Sequence, residues 1–366
     1  MQKTVLCIIG TRPEAIKMAP VIIALKKELK YKVRIMVTAQ HRQMLDQVLK
    51  VFSIVPDIDL DIMQPNQTLA TLTARLITGI DGVLQNERPD LVLAQGDTTT
   101  VFAASIASFY LKIPFGHIEA GLRTGNINSP FPEEMNRIFT SHLSRFHFAP
   151  TESACVNLIN EGVSKDNIYV TGNTVIDALH IAVDRVESSN IHVEDDKKII
   201  LVTVHRRENF GRPFNNICQA ISELLKKNTN IEIHYPVHFN PNIRNVAYNY
   251  FLNNSRVKLL DPLDYLPFVA AMKKAYIILT DSGGVQEEAP ALGKPVLVLR
   301  EETERPEAID FGVVKLVGTE TENIVRETQK LLDDPSAYRE MAKGVSPYGD
   351  GEASRRIVNS INAYFN

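Results

Sequence analysis

Short apolar runs alternate with longer amphipathic stretches along the whole chain. Residues 4–9 are an almost unbroken apolar run, the pattern of a parallel strand covered on both faces. Residues 15–29 repeat their apolar positions at helical spacing. The rhythm continues with a strand at 32–38, helices over 42–52 and 68–86, a strand at 91–94, a helix over 98–111 and a strand at 114–118. A second series opens with a strand at 199–204, carries a helix over 215–227 and adds strands at 231–236, 257–260, 276–279 and 295–299. Such alternation builds doubly wound parallel sheets. Two series predict an α/β protein of two Rossmann-like domains facing a cleft, with ligands at the C-terminal ends of the strands. The junction is placed near 171–174, which gives a first domain of 1–172 and a second of 173–351. The polar stretch 187–198 reads as surface just inside the second.

Composition narrows the classes. The chain has 366 residues, 44% hydrophobic and 23% charged, enough for about two cores. Its net charge of −3 comes from 40 basic and 43 acidic residues, so no basic excess points to nucleic acid or an anionic membrane. A local anion site remains compatible with that balance. Cys7, Cys155 and Cys218 are scattered and odd in number, which fits a reducing cytoplasm and supplies no metal spacing. No stretch approaches the ~20 apolar residues of a membrane span, and the run at 5–9 is too short for the apolar part of a signal peptide.

The densest chemical signal is Leu-Thr-Asp-Ser-Gly-Gly-Val-Gln-Glu-Glu-Ala (279–289). A strand leads in, a helix over 285–292 leads out, and Ser282, Gly283 and Gly284 lie between. Free N–H groups at such a turn attract anions, and glycine lets a phosphate come close. Glu288, about one turn further, can reach ribose hydroxyls. The alternative is a capped helix, with Asp281 or Ser282 as its N-cap.

Other strand ends carry polar groups. Arg12 and Lys17 sit in Gly-Thr-Arg-Pro-Glu-Ala-Ile-Lys (10–17), where two cations suit a diphosphate, or merely form a solvated helix start. Asp97 stands at a helix start as a cap would. Glu119 lies at a strand end, and Glu133 and Glu134 follow Pro132, where the helix dipole favours them. Three carboxylates on neighbouring loops of one sheet, Asp97, Glu119 and Glu133, form a set suited to acid–base chemistry. In the second domain His205 and Arg206 face the same side as Ser282. Arg305, in a charged run, reads as a ligand contact or a solvated loop. Phe268 reads as a base-stacking ring or a core residue. No G-x-G-x-x-G follows the first strand, no P-loop is present, and no His/Cys cluster suggests a metal, so neither cofactor nor metal is expected.

Together the motifs resemble the bacterial non-hydrolysing UDP-N-acetylglucosamine 2-epimerases. The matching segments are Gly-Thr-Arg-Pro-Glu-Ala-Ile-Lys-Met-Ala-Pro (10–20), Thr-Ala-Gln-His-Arg-Gln-Met-Leu-Asp (38–46), Gly-Asp-Thr-Thr-Thr (96–100) and His-Ile-Glu-Ala-Gly-Leu-Arg-Thr (117–124). Further matches are Pro-Glu-Glu-Met-Asn-Arg (132–137), Gly-Asn-Thr-Val-Ile-Asp-Ala (172–178), His-Arg-Arg-Glu-Asn (205–209), Thr-Asp-Ser-Gly-Gly-Val-Gln-Glu-Glu-Ala-Pro (280–290) and Pro-Tyr-Gly-Asp-Gly (347–351). The resemblance implies a fold like that of the two-domain glycosyltransferases, with a last helix, in 352–366, crossing back onto the first domain. It implies reversible epimerisation at C2 of UDP-N-acetylglucosamine to UDP-N-acetylmannosamine, through loss of UDP to 2-acetamidoglucal and its re-addition, without cofactor or metal. Asp97, Glu119, Glu133 and His205 are then catalytic. Arg12, Lys17, Phe268, Ser282, Gly283, Gly284, Glu288 and Arg305 bind substrate. Gln40, Gln43, Arg206 and His238 match an activating second site, although Asn66 replaces the arginine found with it, and Val204 stands where small residues are usual. A homodimer in the cytoplasm is also implied. The alternatives are a UDP-sugar glycosyltransferase of the same fold, a hydrolysing epimerase that releases N-acetylmannosamine, and a non-catalytic sugar-nucleotide sensor.

Overall fold

The apolar runs become parallel strands buried on both faces. The computed structural model describes residues 2–38, 42–64, 67–187, 197–303 and 305–366, with side chains throughout except at 42–44 and 306. The chain divides into two units, one of residues 1–181 and 348–366, the other of 182–347.

In unit 1 the strands are β1 (Lys3–Ile9), β2 (Tyr31–Val37), β3 (Ile58–Asp59), β4 (Leu91–Gln95), β5 (Phe115–Ile118), β6 (Phe146–Ala149) and β7 (Ile168–Val170). Their order is β3-β2-β1-β4-β5-β6-β7, and every pairing among the described residues is parallel. Val5 to Ile9 and Leu91 to Ala94 are at most 1% exposed, because the helices Arg12–Lys27, Leu69–Glu87 and Thr99–Tyr110 cover the sheet. Unit 2 repeats the plan with β8 (Lys198–Thr203), β9 (Ile231–Pro236), β10 (Val257–Leu260), β11 (Ile277–Thr280), β12 (Val296–Val298) and β13 (Val314–Leu316), in the order β10-β9-β8-β11-β12-β13. Its core is built from Ile200, Val202, Ile233, Leu279 and Leu297 with the helix Arg212–Lys227. That helix starts earlier than the apolar spacing predicts, because Gly211 (φ 81°) and Pro213 open it.

In both sheets the strand order reverses once, between β1 and β4 and between β8 and β11. Loops diverge at such a point and leave room for ligand. Among the described residues no helix is long and apolar enough to cross a membrane.

The division between units falls inside the helix Thr174–Glu187 and not at 172/173. Asp177, on its first half, accepts from the N–H groups of Ala353 (3.2 Å) and Ser354 (2.7 Å) and from the Ser354 hydroxyl (2.6 Å). That half is thereby tied to the start of the last helix, Ala353–Phe365. This helix lies on Arg12–Lys27, and Tyr31 donates to Asn362 at 2.6 Å. Gly172 packs against Gly349 with 3.4 Å between its missing Cβ and the Gly349 Cα. Residues 172–178 and 348–351 therefore join one another within unit 1.

Candidate active site

The site groups of unit 1 follow from the register of β1 on β4. Ile8 pairs with Ala94, which sets Gly10–Thr11 beside Gly96–Asp97. Thr11 caps the helix Arg12–Lys27, and Glu14 returns its carboxylate to the N–H groups of Gly10 (2.5 Å) and Thr11 (3.1 Å). The Thr98 hydroxyl reaches the same carboxylate at 2.5 Å, so Glu14 bridges the two loops. It is 2% exposed. Burial pushes its carboxyl up to about 7 against those hydrogen bonds, and the charge of Asp97 adds to the rise. Gly10 has no room for a side chain, since a Cβ would lie 2.5 Å from Thr100 Oγ1. Arg12, half-buried, opens the helix at this tip.

Asp97 does not cap the next helix. Thr98 holds the N-cap position of Thr99–Tyr110 and makes no side-chain cap. The Asp97 carboxylate instead takes Nε and Nη2 of Arg137 at 2.9 and 2.6 Å, and its carbonyl takes Asn136 Nδ2 at 2.8 Å. Both partners lie on the helix Glu133–Leu143, which starts at Glu133 and not at Pro132. Glu134 is 1% exposed and turns inward, accepting from Thr124 N and Gly125 N at 3.0 Å each and from Arg137 Nη1 at 2.8 Å. Glu133 is half-buried and takes no side-chain hydrogen bond among the described residues. Two adjacent glutamates are thus separated into an internal anchor and an available carboxylate.

Glu119, one residue past β5, has φ 67°, a left-handed conformation that a non-glycine residue seldom adopts. This turn points its carboxylate at Lys17 Nζ (2.8 and 2.7 Å) and at the Gln95 side-chain amide. Lys17 lies against this carboxylate, with its side chain 13% exposed. On the same strand His117 is fully buried and donates Nε2–H to the Gly96 carbonyl at 2.7 Å. Burial pushes its imidazole down to about 3, so it remains neutral at the base of the Asp97 turn.

In unit 2, Thr203 pairs with Thr280 and their hydroxyls lie 2.6 Å apart. This register sets His205 beside Asp281. The ring Nδ1 is 3.1 Å from Asp281 Oδ1, and the N–H groups of His205 and Arg206 reach Oδ2 at 2.9 and 2.8 Å. Asp281 caps nothing. Ser282 occupies the N-cap position of the short helix Gly283–Glu288, without a side-chain cap, and a 3₁₀ turn, Ala289–Leu292, replaces the rest of the expected helix. His238, assigned from motifs to a second site, lies beside His205 with ring centroids 6.1 Å apart.

Gly283 and Gly284 are not needed for an unusual φ. A Cβ on Gly283 would meet Arg305 Nη1 at 2.9 Å, so glycine is there to admit the guanidinium. Arg305 Nε also donates to Glu287 at 2.6 Å. A cation held over a helix N-terminus opposes the dipole unless an anion shares the space, and that favours an anion-binding reading over simple capping. Glu288 is 6% exposed and accepts from Tyr265 OH at 2.9 Å. Phe268, half-buried on the helix Tyr265–Lys274, lies outside the core cluster of unit 2. Gln40 and Asn66 lie outside the described residues, as does the side chain of Gln43. Among the described residues no His, Cys, Asp and Glu cluster could hold a metal.

Two doubly wound parallel units with these strand-end groups have the fold of the two-domain nucleotide-sugar glycosyltransferases. The glycotransferase of kitacinnamycin, 10% identical, shares that fold with a TM-score of 0.65 over 98% of this chain and 99% of its own. The family is narrower than the fold. A family model described as UDP-N-acetylglucosamine 2-epimerase matches residues 23–362, and the chain belongs to that family. It is 52% identical over 370 residues, 98% of each chain, to the UDP-N-acetylglucosamine 2-epimerase of Salmonella typhimurium. The crystal structure of UDP-GlcNAc 2-epimerase from Neisseria meningitidis bound to UDP-GlcNAc is 51% identical, with a TM-score of 0.89 over 98% of this chain and 100% of that one.

Proposed function

We propose that the protein interconverts UDP-N-acetylglucosamine and UDP-N-acetylmannosamine without hydrolysing either. The C2 proton has no carbonyl beside it and is weakly acidic, so departure of UDP from C1 must accompany its removal. A carboxylate takes the C2 proton, the C1–O bond breaks with its electron pair going to the diphosphate, and 2-acetamidoglucal is left. UDP then returns to C1 while a second group delivers a proton to the opposite face of C2. The reaction needs anion stabilisation at the diphosphate and a proton-handling group on each face.

Unit 1 supplies the proton chemistry through Asp97, Glu119 and Glu133. Unit 2 supplies the leaving-group contacts through Ser282, Gly283, Gly284, Arg305 and His205, with Glu288 for the ribose and Phe268 for the base. Arg12 adds positive charge to the diphosphate, and Lys17 acts through Glu119. The observation that carries this reading is the strained Glu119 backbone, which turns a carboxylate out of the end of β5 where no helix needs it. A homodimer, a cytoplasmic location and activation by substrate at Arg206 and His238 belong to the same proposal. Sigmoidal kinetics from pure UDP-N-acetylmannosamine, relieved by traces of UDP-N-acetylglucosamine, would test the last.

Phosphorus NMR during turnover of UDP-N-acetylglucosamine tests the non-hydrolysing outcome. A second sugar-diphosphate signal, with no build-up of free UDP, is expected. Stoichiometric free UDP with N-acetylmannosamine would instead make the protein a hydrolysing epimerase.

A further inference from the structure

Asp281 has no part in the chemistry above, yet it is fully buried and heavily engaged. Besides the N–H groups of His205 and Arg206 it accepts from Asn209 Nδ2 at 3.0 Å, and the same amide reaches the Leu299 carbonyl at 3.2 Å. These donors shape the loop after β8, and any acceptor of similar size could serve them. The ring contact makes a more specific demand. A carboxylate has lone pairs and no proton to give, so His205 Nδ1, 3.1 Å away, must carry the hydrogen. The ring therefore has one end fixed in the interior and one end, Nε2, directed away from Asp281. The side chain of His205 is 43% exposed, against 0% for its partner. His238, stacked at 28° to the ring, bounds its other side.

We propose that Asp281 is a positioning residue that fixes the Nδ1–H tautomer and the orientation of His205, so that Nε2 is presented to the departing diphosphate. This deepens the epimerase reading and rests on it. When the C1–O bond breaks, its electron pair goes to the β-phosphate oxygen. In the imidazolium form both ring nitrogens carry hydrogen; Nε2–H, held in place by the Nδ1 contact, then donates a hydrogen bond to the diphosphate and keeps its proton. Because Asp281 immediately precedes Ser282, one carboxylate sets the histidine and the anion turn relative to each other.

The test uses the full-length protein labelled with ¹⁵N at its histidine rings. Long-range ¹H–¹⁵N spectra read the tautomer, and His205→Gln identifies the signal. Wild type should show Nδ1 protonated and Nε2 bare in the neutral ring; the reverse would overturn the proposal. In Asp281→Asn the side-chain oxygen can keep the backbone donors while its amide faces Nδ1, so the tautomer should invert. Turnover should then fall roughly 10- to 100-fold, as for other second-layer partners of a working histidine, with KM changed by no more than about 2-fold. Adding Asp281→Asn to His205→Gln should cost little further. An unchanged tautomer in Asp281→Asn, or a full additive loss in the double variant, would contradict the assignment. If Asp281→Asn does not fold, the wild-type spectrum decides alone. Absence of any turnover in wild type would remove the epimerase reading, while the tautomer is still measured independently.

Discussion

The two strand-order reversals place a buried carboxyl group in each unit, and the two groups behave in opposite ways. Glu14, in unit 1, receives only uncharged donors and feels Asp97 nearby, so burial wins and its carboxyl rises to about 7. Asp281, in unit 2, is also pushed up by burial. The hydrogen bond and charge of His205, with the N–H groups of Arg206 and His205, outweigh that and hold it below the ordinary 3.8. The lesson is that the same backbone plan can store either a proton or a charge, depending on what the neighbouring loop offers. Unit 1 sets cations against its strand-end carboxylates, Lys17 on Glu119 and Arg137 on Asp97. Unit 2 keeps its carboxylate inside and directs Arg305 at the turn.

The largest effect should separate the units by function. Asp97→Asn should lower turnover on the order of 10³-fold, as expected for a lost acid–base group. Calorimetry should find UDP binding changed by no more than about 2-fold, because the proposed UDP contacts are on the other unit. Near wild-type turnover would reduce Asp97 to a partner of Arg137. Next comes the sign of pH dependence. A carboxyl raised from 4.5 to about 7 on folding contributes stability that is full below 4.5 and lost as pH climbs through 7. Wild type should lose about 3 kcal/mol over that window relative to Glu14→Gln, as read by urea unfolding. Asp281 acts in the other direction. Its contribution is present above 3.8 and disappears as pH falls through its lowered folded value.

A smaller effect is expected at the turn. Gly283→Val places a branched side chain where Arg305 lies, and displacing the guanidinium should weaken UDP binding about 10-fold, the scale of one lost hydrogen bond to a charged group. The carboxylates of unit 1 remain in place, so residual turnover at saturating substrate should survive. Smallest is Tyr265→Phe, which removes the hydroxyl held by Glu288 and should cost about 1 kcal/mol of UDP affinity. A larger loss there would place Tyr265 itself against the nucleotide.

Much of this comparison was legible from the residue pattern. Strands buried on both faces read clearly at 4–9, 91–94 and 276–279, because a two-face strand needs an unbroken apolar run. The strand β6 was not, since His147 interrupts Phe-His-Phe-Ala. Its ring is accommodated by carbonyls of Ser141 and Asn167 supplied from elsewhere in the fold. The strands β3, β7 and β13 are only two or three residues long and carry little periodicity. Motif positions located Asp97, Glu119, Glu133, His205 and Ser282, but not their partners. Lys17 and Glu119 are 102 residues apart, and His205 and Asp281 are 76 apart in the chain. Only sheet register joins them, so neither pairing is visible until the strands are paired, and Asp281 reads as a cap.

If the proposed function holds, the carboxylates of unit 1 move a proton at C2 of a nucleotide sugar. Incubation with UDP-N-acetylglucosamine in deuterated water, followed by proton NMR of the sugar, measures this directly. Deuterium is expected at C2 in the recovered UDP-N-acetylglucosamine and in the UDP-N-acetylmannosamine formed, with UDP still attached, and that exchange should be lost in Asp97→Asn. Turnover without deuterium at C2 would contradict that function.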